Sequence, residues 1–318
     1  MASQVSAAEA RAEPGLVASV VVPVRNDRRG ELRRLLDALA RQSVPRDRFE
    51  VVIGDDGSTD GATEGLATAD GWIRVVRDGP RNSYAARNNA ARASGPSPVL
   101  AFVDSDCIPD PDWLERGIAA LQTVDAAAGG IRFDVPERPT VWTLIDIETT
   151  KDHARQVKIG NAETANLFVR RELYDRLGGF DDTIPEHGDF DFAERIVASG
   201  ASLVYAPEAA VVHPTRDTPR PFLRMVWIMN RWYAARATRD GKRPSAVKVR
   251  CWVPFVPIVR GRRRLGYSLG LDRKQLAANG IRPRLVHDLL ALPLIYLVLP
   301  YVRNVAQLRG WWDGRALR

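Results

Sequence analysis

Two apolar runs in this chain end in paired acids, VVIGDD at 51–56 and PVLAFVDSD at 98–106. Short runs of Val, Ile, Leu and Phe with no polar alternation read as strands buried on both faces. Such strands need helices on both sides of a parallel sheet, which confines the chain to the α/β class. The neighbouring segments supply the rest of the pattern. SVVVPV (19–24) is a further buried strand, and Leu32, Leu35, Leu36 and Leu39 then recur at i, i+3, i+4 and i+7, the mark of an amphipathic helix. WIRVV (72–76) predicts a short strand, and SYAARNNAARASG (83–95) a helix from a Ser83 N-cap to a stop at Gly95. PDWLERGIAAL (111–121) predicts a helix with Pro in its first turn. Alternation at these lengths implies right-handed βαβ units and a mostly parallel sheet.

From 126 to 213 the pattern continues less regularly. AAAGGIRF, ANLFV (165–169), ASLVYAP and AAVVHP read as strands. TVWTLIDIETT reads as a helix, as do RRELYDRLGG and FDFAERIVASG (190–200), the last two stopped by Gly. The first 17 residues read as a disordered leader without the long apolar core of a signal peptide.

Composition narrows the class further. With 45% hydrophobic and 27% charged residues among 318, the chain is neither disordered nor collagen-like nor a coiled coil. Two cysteines, Cys107 and Cys251, cannot form a disulfide framework, and no CxxC zinc pattern occurs, so a reducing, cytoplasmic setting is expected. Charge is unevenly spread. Residues 214–318 hold 22 Lys and Arg against 5 Asp and Glu, whereas residues 1–213 hold 24 against 34. A basic half suits a polyanion, an anionic membrane face or phosphate-bearing substrates. Arg outnumbers Lys 41 to 5 throughout and no nucleic-acid motif accompanies it, so no nucleic-acid partner is expected.

The basic segment also carries five of the eight Trp. PFLRMVWIMNRWYAARATRDG (221–241) reads as a long helix, WVPFVPIVRGRRRLG (252–266) is broken by Pro and then strongly basic, and LLALPLIYLVLPYV (289–302) is apolar but interrupted by Pro293 and Pro300. A spanning helix needs about 20 apolar residues. The 289–302 run therefore reads either as a core helix or homodimer contact, or as part of a region lying in an anionic bilayer interface on the inner face of the plasma membrane.

In a parallel α/β sheet, ligands bind beyond the carboxyl ends of the strands. Asp104 and Asp106 follow one strand end at a spacing of two, which turns both carboxylates toward one crevice. Hard oxygen ligands there suit Mg²⁺ or Mn²⁺ bridging a diphosphate. A single acidic strand end would more simply form a turn or cap, but two in one sheet favour a nucleotide–metal site.

Taken in order, SVVVPVRND, VVIGDDGSTD, SYAARNNA and FVDSDCIPDPDWLE resemble the successive signatures of family 2 glycosyltransferases with the GT-A fold. ANLFVRRELYDRLGGFDD, GDFDFAERI and AVVHP are similar to the acceptor side of that family, so the resemblance covers roughly 18–213. It implies a nucleotide-sugar half at 18–125, an acceptor half at 126–213 and a helical, basic and apolar appendage at 214–318. By position it implies that Pro23, Arg25, Asp55 and Asp56 hold the base and ribose and that Arg87 approaches the diphosphate. Asp104, Ser105 and Asp106 form the Asp-x-Asp motif, with Asp106 the more direct metal ligand, and His213 falls where a further ligand lies.

The family's Glu-Asp-x-Asp-Leu motif stands here as Gly188-Asp189-Phe190-Asp191-Phe192. Asp189 aligns with the catalytic base, Gly replaces the Glu, and Glu186 is a competing carboxylate. The expected activity is inverting transfer of a sugar from a nucleotide-diphospho-sugar to an acceptor hydroxyl on a glycan or lipid-linked glycan. A nucleotidyltransferase would share sheet and metal but show a Gly-rich, Lys-containing loop after the first strand, which PVRNDRRGEL lacks. A catalytically weakened membrane scaffold is the remaining reading, motivated by the missing Glu. His153 and His287 read as ordinary packing or surface residues, His187 as a loop or acceptor-side residue, and Cys107 as a small buried hydrophobe.

Overall fold

A computed structural model describes residues 15–27, 29–184, 186–239, 241–243 and 298–316, with 276–277, 279–281 and 294. The leader, the 252–266 stretch with Arg262–Arg264, most of the 289–302 run, Cys251 and His287 lie outside the described residues.

The Val-rich run folds as β1 (Ala18–Val24), buried at every position. It lies between β2 (Phe49–Asp55) and β4 (Val99–Val103), parallel to both, and β3 (Ile73–Arg77) continues parallel beyond β2. The sheet then turns mixed. β7 (Asn166–Arg170) runs antiparallel to β4 and to β6 (Ala126–Asp134), and β6 is parallel to β8 (Leu203–Pro214). The short β5 (Ile108–Pro109) pairs antiparallel with β8, giving the order β3-β2-β1-β4-β7-β6-β8-β5. The fold is thus an α/β sandwich with a mostly parallel sheet. ASLVYAP and AAVVHP, read as two strands, form one continuous β8, with a register shift opposite Gly129 and Gly130.

Pro23 follows Val21, the last β1 residue paired with β4, so its missing N–H falls where that ladder has ended. Chain order reverses between β1 and β4, and the crevice beyond their carboxyl ends is the switch point of the sheet.

Helices cover both faces. α1 (Glu31–Leu39) buries Leu32, Leu35, Leu36 and Leu39, the four residues of the predicted stripe. α2 (Ser83–Ala93) packs on β1 and β2 closely enough that a Cβ on Gly54 would lie 2.3 Å from the Ala86 carbonyl oxygen. Its N-cap is Asn82 rather than Ser83. The Asn82 side chain accepts from the N–H groups of Tyr84 and Ala85 at 2.9 and 3.0 Å, while Ser83 is already helical. α3 (Trp113–Ala120) buries Trp113, whose indole N–H donates to Asn166 Oδ1 at 2.9 Å.

α4 (Val141–Thr149) is closed by a Thr140–Thr143 capping box, and α5 (His153–Lys158), which the sequence reading lacks, follows it. α6 (Arg171–Arg176) and α7 (Gly188–Ala198) cover the β7 side. After the sheet, α8 (Pro219–Arg239) and α9 (Leu299–Ala316) pack against each other so closely that a Cβ on Gly310 would overlap the Arg231 carbonyl. Among the described residues, no helix is long and apolar enough to cross a membrane.

Candidate active site

β1 and β4 deliver two sets of side chains to one cleft of about 280 Å³, lined by Pro23, Val24, Arg25, Asp56, Ser83, Arg87, Asp104, Ser105 and Asp106. Seven of these are residues that the sequence assigned to donor or metal, and the sheet's switch point brings them together. Asp55 does not line the cleft. Its carboxylate accepts from the Ser58 N–H at 2.7 Å and the Thr63 hydroxyl at 2.6 Å, and Arg77 lies 3.3 Å away. Burial alone would push this carboxyl up, but the Thr63 and Ser58 bonds and Arg77 hold it below its ordinary range. Asp55 thereby ties down the turn that presents Asp56, which accepts from the Arg81 N–H at 2.6 Å and faces Arg25 at 3.7 Å.

Arg87 is the unusual group. It is 4% exposed, its Nη2 donates to Asp104 Oδ1 at 2.5 Å, and its Nε and Nη1 are buried without a hydrogen-bond partner. A guanidinium with unmet donors is costly to bury unless an anion completes it. The second oxygen of Asp104 faces Lys151 Nζ at 3.8 Å, and Lys151 in turn contacts Glu163 at 3.1 Å. Burial raises Asp104, yet Arg87 and Lys151 outweigh it and keep the carboxylate ionised. Lys151 is held charged in the same way, Glu163 and Asp104 overcoming its desolvation, and its backbone sits at φ 56. Neither Lys151 nor Glu163 was legible in the sequence. Each lies in a loop with no motif of its own, and only the fold brings them to Asp104.

Asp106, on the cleft wall, faces the buried His213, Oδ1 to Nε2 at 3.8 Å. His213 Nδ1 lies 2.7 Å from the Pro214 carbonyl, which accepts only from a protonated nitrogen, so Nδ1 carries the proton and Nε2 presents a lone pair. Burial, aided by Lys151, lowers His213 and keeps it neutral. A carboxylate and an imidazole lone pair confronting each other fit a divalent cation such as Mn²⁺. Cys107 Sγ lies within the same cluster, but burial and Asp106 push its thiol well up and it points to the Ala165 carbonyl at 3.7 Å. It is a packed hydrophobe, as its sequence context indicates.

Asp189 lies in the first turn of α7, where the helix N-terminus favours a carboxylate. It accepts from the Tyr84 hydroxyl at 3.1 Å and from the Phe190 N–H at 3.0 Å. Burial and Glu163 raise it, while His187 and Arg87 pull it back. Glu186, three residues earlier, is driven up to about 7 by burial and by Asp189. His187 caps α7 in the left-handed region at φ 64, and its Nε2 meets the Met229 carbonyl at 2.9 Å. His153 is buried and bonded through Nδ1 to Gly129 and through Nε2 to the Glu163 N–H, an ordinary packed histidine.

A second cleft, of about 650 Å³, lies against the start of α7. Lys151, Glu163 and Arg216 line its polar wall, and His187 and Phe190 of α7 face Met225, Met229 and Tyr233 of α8 and Leu299 and Pro300 of α9. Arg216 is anchored by the fully buried Asp146 through its N–H at 2.9 Å and its Nη1 at 3.0 Å.

A switch-point cleft with an unmet guanidinium and a carboxylate–imidazole pair, set on this sheet order, defines a glycosyltransferase of the GT-A class. The chain belongs to glycosyl transferase family 2, whose model matches residues 19–178, and a model of glycosyl transferase family group 2 matches 99–305. Among its relatives, the glycosyltransferase AglE of Haloferax volcanii is 33% identical over 205 residues, covering 62% of this chain and 67% of that protein. The pre-mycofactocin glycosyltransferase of Mycobacterium tuberculosis is 28% identical over 215 residues, 64% of this chain and 44% of that protein. The mannosyltransferase PcManGT from Pyrobaculum calidifontis, solved with GDP-Man and Mn²⁺, shares the fold with TM-score 0.58 at 22% identity, over 94% of this chain and 87% of that one.

Proposed function

We propose that the protein is an inverting, metal-dependent transferase that moves a sugar from a nucleotide-diphospho-sugar to an acceptor hydroxyl. The observation that carries this reading is Arg87, buried at the switch point with Nε and Nη1 unpaired beside Asp104 and Asp106. A diphosphate supplies the anionic oxygens these donors lack. Pro23, Arg25, Asp56 and Ser105 line the part of the cleft assigned to the nucleotide. Asp106 and His213 would hold the divalent cation, which when bound offsets charge on the leaving diphosphate.

The acceptor approaches from the second cleft. Its hydroxyl oxygen bonds to the anomeric carbon as the bond from that carbon to the β-phosphate oxygen breaks, and the electron pair leaves with the nucleoside diphosphate. The hydroxyl proton passes to the Asp189 carboxylate. Attack from the face opposite the leaving group inverts the anomeric centre. Arg87 compensates the charge that develops on the departing diphosphate. Glu186 is the rival base.

The mixed walls of the second cleft favour a glycan acceptor carrying an apolar portion, as a lipid-linked acceptor does. The +17 balance and clustered Trp of 214–318 support peripheral contact with an anionic membrane, a homodimer being the alternative. Flotation with anionic vesicles at low and high salt separates these two.

The direct test measures nucleoside diphosphate release from a panel of UDP-glucose, UDP-GlcNAc and GDP-mannose with Mn²⁺. Wild type should turn over at least one donor, and Asp189→Asn should cut turnover by at least about 10²-fold with donor affinity retained, as loss of a general base does. Should Asp189→Asn stay active while Glu186→Gln is dead, Glu186 is the base.

A further inference from the structure

Tyr84 belongs to α2, the helix that also carries Arg87 one turn further on. Its ring lies directly over the backbone of Gly188, where a Cβ would stand 2.8 Å from Tyr84 Cδ2 and 2.9 Å from Cε2. Any side chain at 188 would displace the ring. The ring is otherwise fixed. It packs at 5.7 Å centroid distance on Phe180, and the Arg87 guanidinium sits 5.5 Å from its centroid.

The helix beneath it is pinned to the segment around Phe180 at two points. Asn82 Nδ2 donates to the Asp182 carbonyl and Asn88 Nδ2 to the Phe180 carbonyl, both at 2.8 Å. From this position the Tyr84 hydroxyl reaches Asp189 Oδ1 at 3.1 Å.

We infer that Tyr84 is a positioning residue for Asp189, and that glycine stands at 188 because the tyrosine ring occupies the space a glutamate would need. The inference rests on Asp189 being the base. Its physical content is that a neutral phenol donates to the carboxylate and fixes one of its two oxygens, leaving the other to meet the acceptor hydroxyl. Burial and the nearby Asp189 push ionisation of Tyr84 well above its ordinary range, so the phenol stays a donor at every working pH.

The donated bond favours the ionised carboxylate in a place where burial opposes it. Other groups face Asp189 as well. Glu163 raises it, His187 and Arg87 lower it, and Glu186 and His153 feel its charge. Because Tyr84 and Arg87 share one helical turn, a shift of α2 at the diphosphate moves the phenol that holds the base.

Tyr84→Phe is the test, because it keeps the ring against Gly188, Phe180 and Arg87 and removes only the hydroxyl. In the free protein, with ¹³C-labelled aspartate carboxyls and Asp189→Asn to identify the resonance, Asp189 should titrate at higher pH in Tyr84→Phe than in wild type. With Mn²⁺ and whichever of UDP-glucose, UDP-GlcNAc or GDP-mannose is turned over, kcat should fall about tenfold or more at unchanged donor KM. The acid limb of kcat should move to higher pH. Gly188→Ala should lower kcat in wild type and lower it by less in Tyr84→Phe, where the ring is still displaced but the hydrogen bond is already gone. Superimposable Asp189 titrations and kcat–pH profiles for Tyr84→Phe and wild type, with Asp189→Asn dead, would overturn the inference and leave the base assignment standing. An active Asp189→Asn enzyme would overturn the base assignment itself and remove Tyr84 from the reaction.

Discussion

Arg87 and Asp104 meet at 2.5 Å, one guanidinium nitrogen on one carboxylate oxygen, and two further nitrogens of the same guanidinium remain buried and unpaired. A planar fork with unmet donors recognises diphosphate oxygens in a way an ammonium cannot. Arg87→Lys should therefore weaken binding of UDP or GDP in the presence of Mn²⁺ by at least about tenfold, a loss of about 1.4 kcal/mol. Titration calorimetry of wild type and variant checks it. Equal affinities would mean that the diphosphate does not reach Arg87.

The neutral His213 and the Asp106 carboxylate make a distinct prediction. Asp106→Ala and His213→Ala should each reduce nucleoside diphosphate affinity measured with Mn²⁺ to the value that wild type shows with EDTA. Cys107→Ala should keep the Mn²⁺ dependence, because its buried thiol stays protonated, in contact with the Ala165 carbonyl at 3.7 Å and with Asp106 Oδ1 at 3.9 Å. Loss of the Mn²⁺ effect in Cys107→Ala alone would place the sulfur among the ligands.

The parallel half of the sheet and its helices were legible because buried strands and amphipathic stripes have short periods that the chain repeats between 18 and 121. The mixed half was not. β7 reads as a strand, but nothing local shows that it inserts antiparallel between β4 and β6, since that choice is made by long-range pairing. Within the site, Asp104, Asp106 and Arg87 sit in motifs. Lys151 and Glu163 carry no pattern, and their partnership with Asp104 exists only once β7 and the loop before it are placed. Tyr84 lies inside a motif, yet its contact spans 105 residues to Asp189.

Gly54 tests the seat of the donor cleft. A Cβ there would lie 2.3 Å from the Ala86 carbonyl oxygen and 2.8 Å from its carbon, contacts that only a shift of α2 relieves. Overpacking of this kind costs about 1–3 kcal/mol. Gly54→Ala should lower the thermal midpoint and, because Ala86 precedes Arg87, also weaken nucleoside diphosphate binding. A variant with wild-type melting and affinity would show that α2 has slack against β2.

Glu186 gives the pH-dependent prediction. Burial and Asp189 raise its carboxyl from an ordinary 4.5 to about 7 in the folded protein. A group raised on folding is fully favourable below its unfolded value, and that contribution is lost as pH climbs through the folded value. Wild type should thus lose stability between about pH 4.5 and 7 from this group, by up to about 3 kcal/mol. Glu186→Gln stays neutral throughout and escapes the loss. Its denaturation free energy should match wild type near pH 4 and exceed it at pH 8, with the difference opening across that window. Because the Asp189 charge is one of the two causes, Asp189→Asn should lower the folded value of Glu186 and shrink the gain from Glu186→Gln in that background, whereas an Asp189 that itself holds the proton leaves the gain unchanged. Urea titrations of the three variants at pH 4 and 8 separate these outcomes, and a Glu186→Gln protein no more stable than wild type at pH 8 would show that the Glu186 carboxyl reaches water.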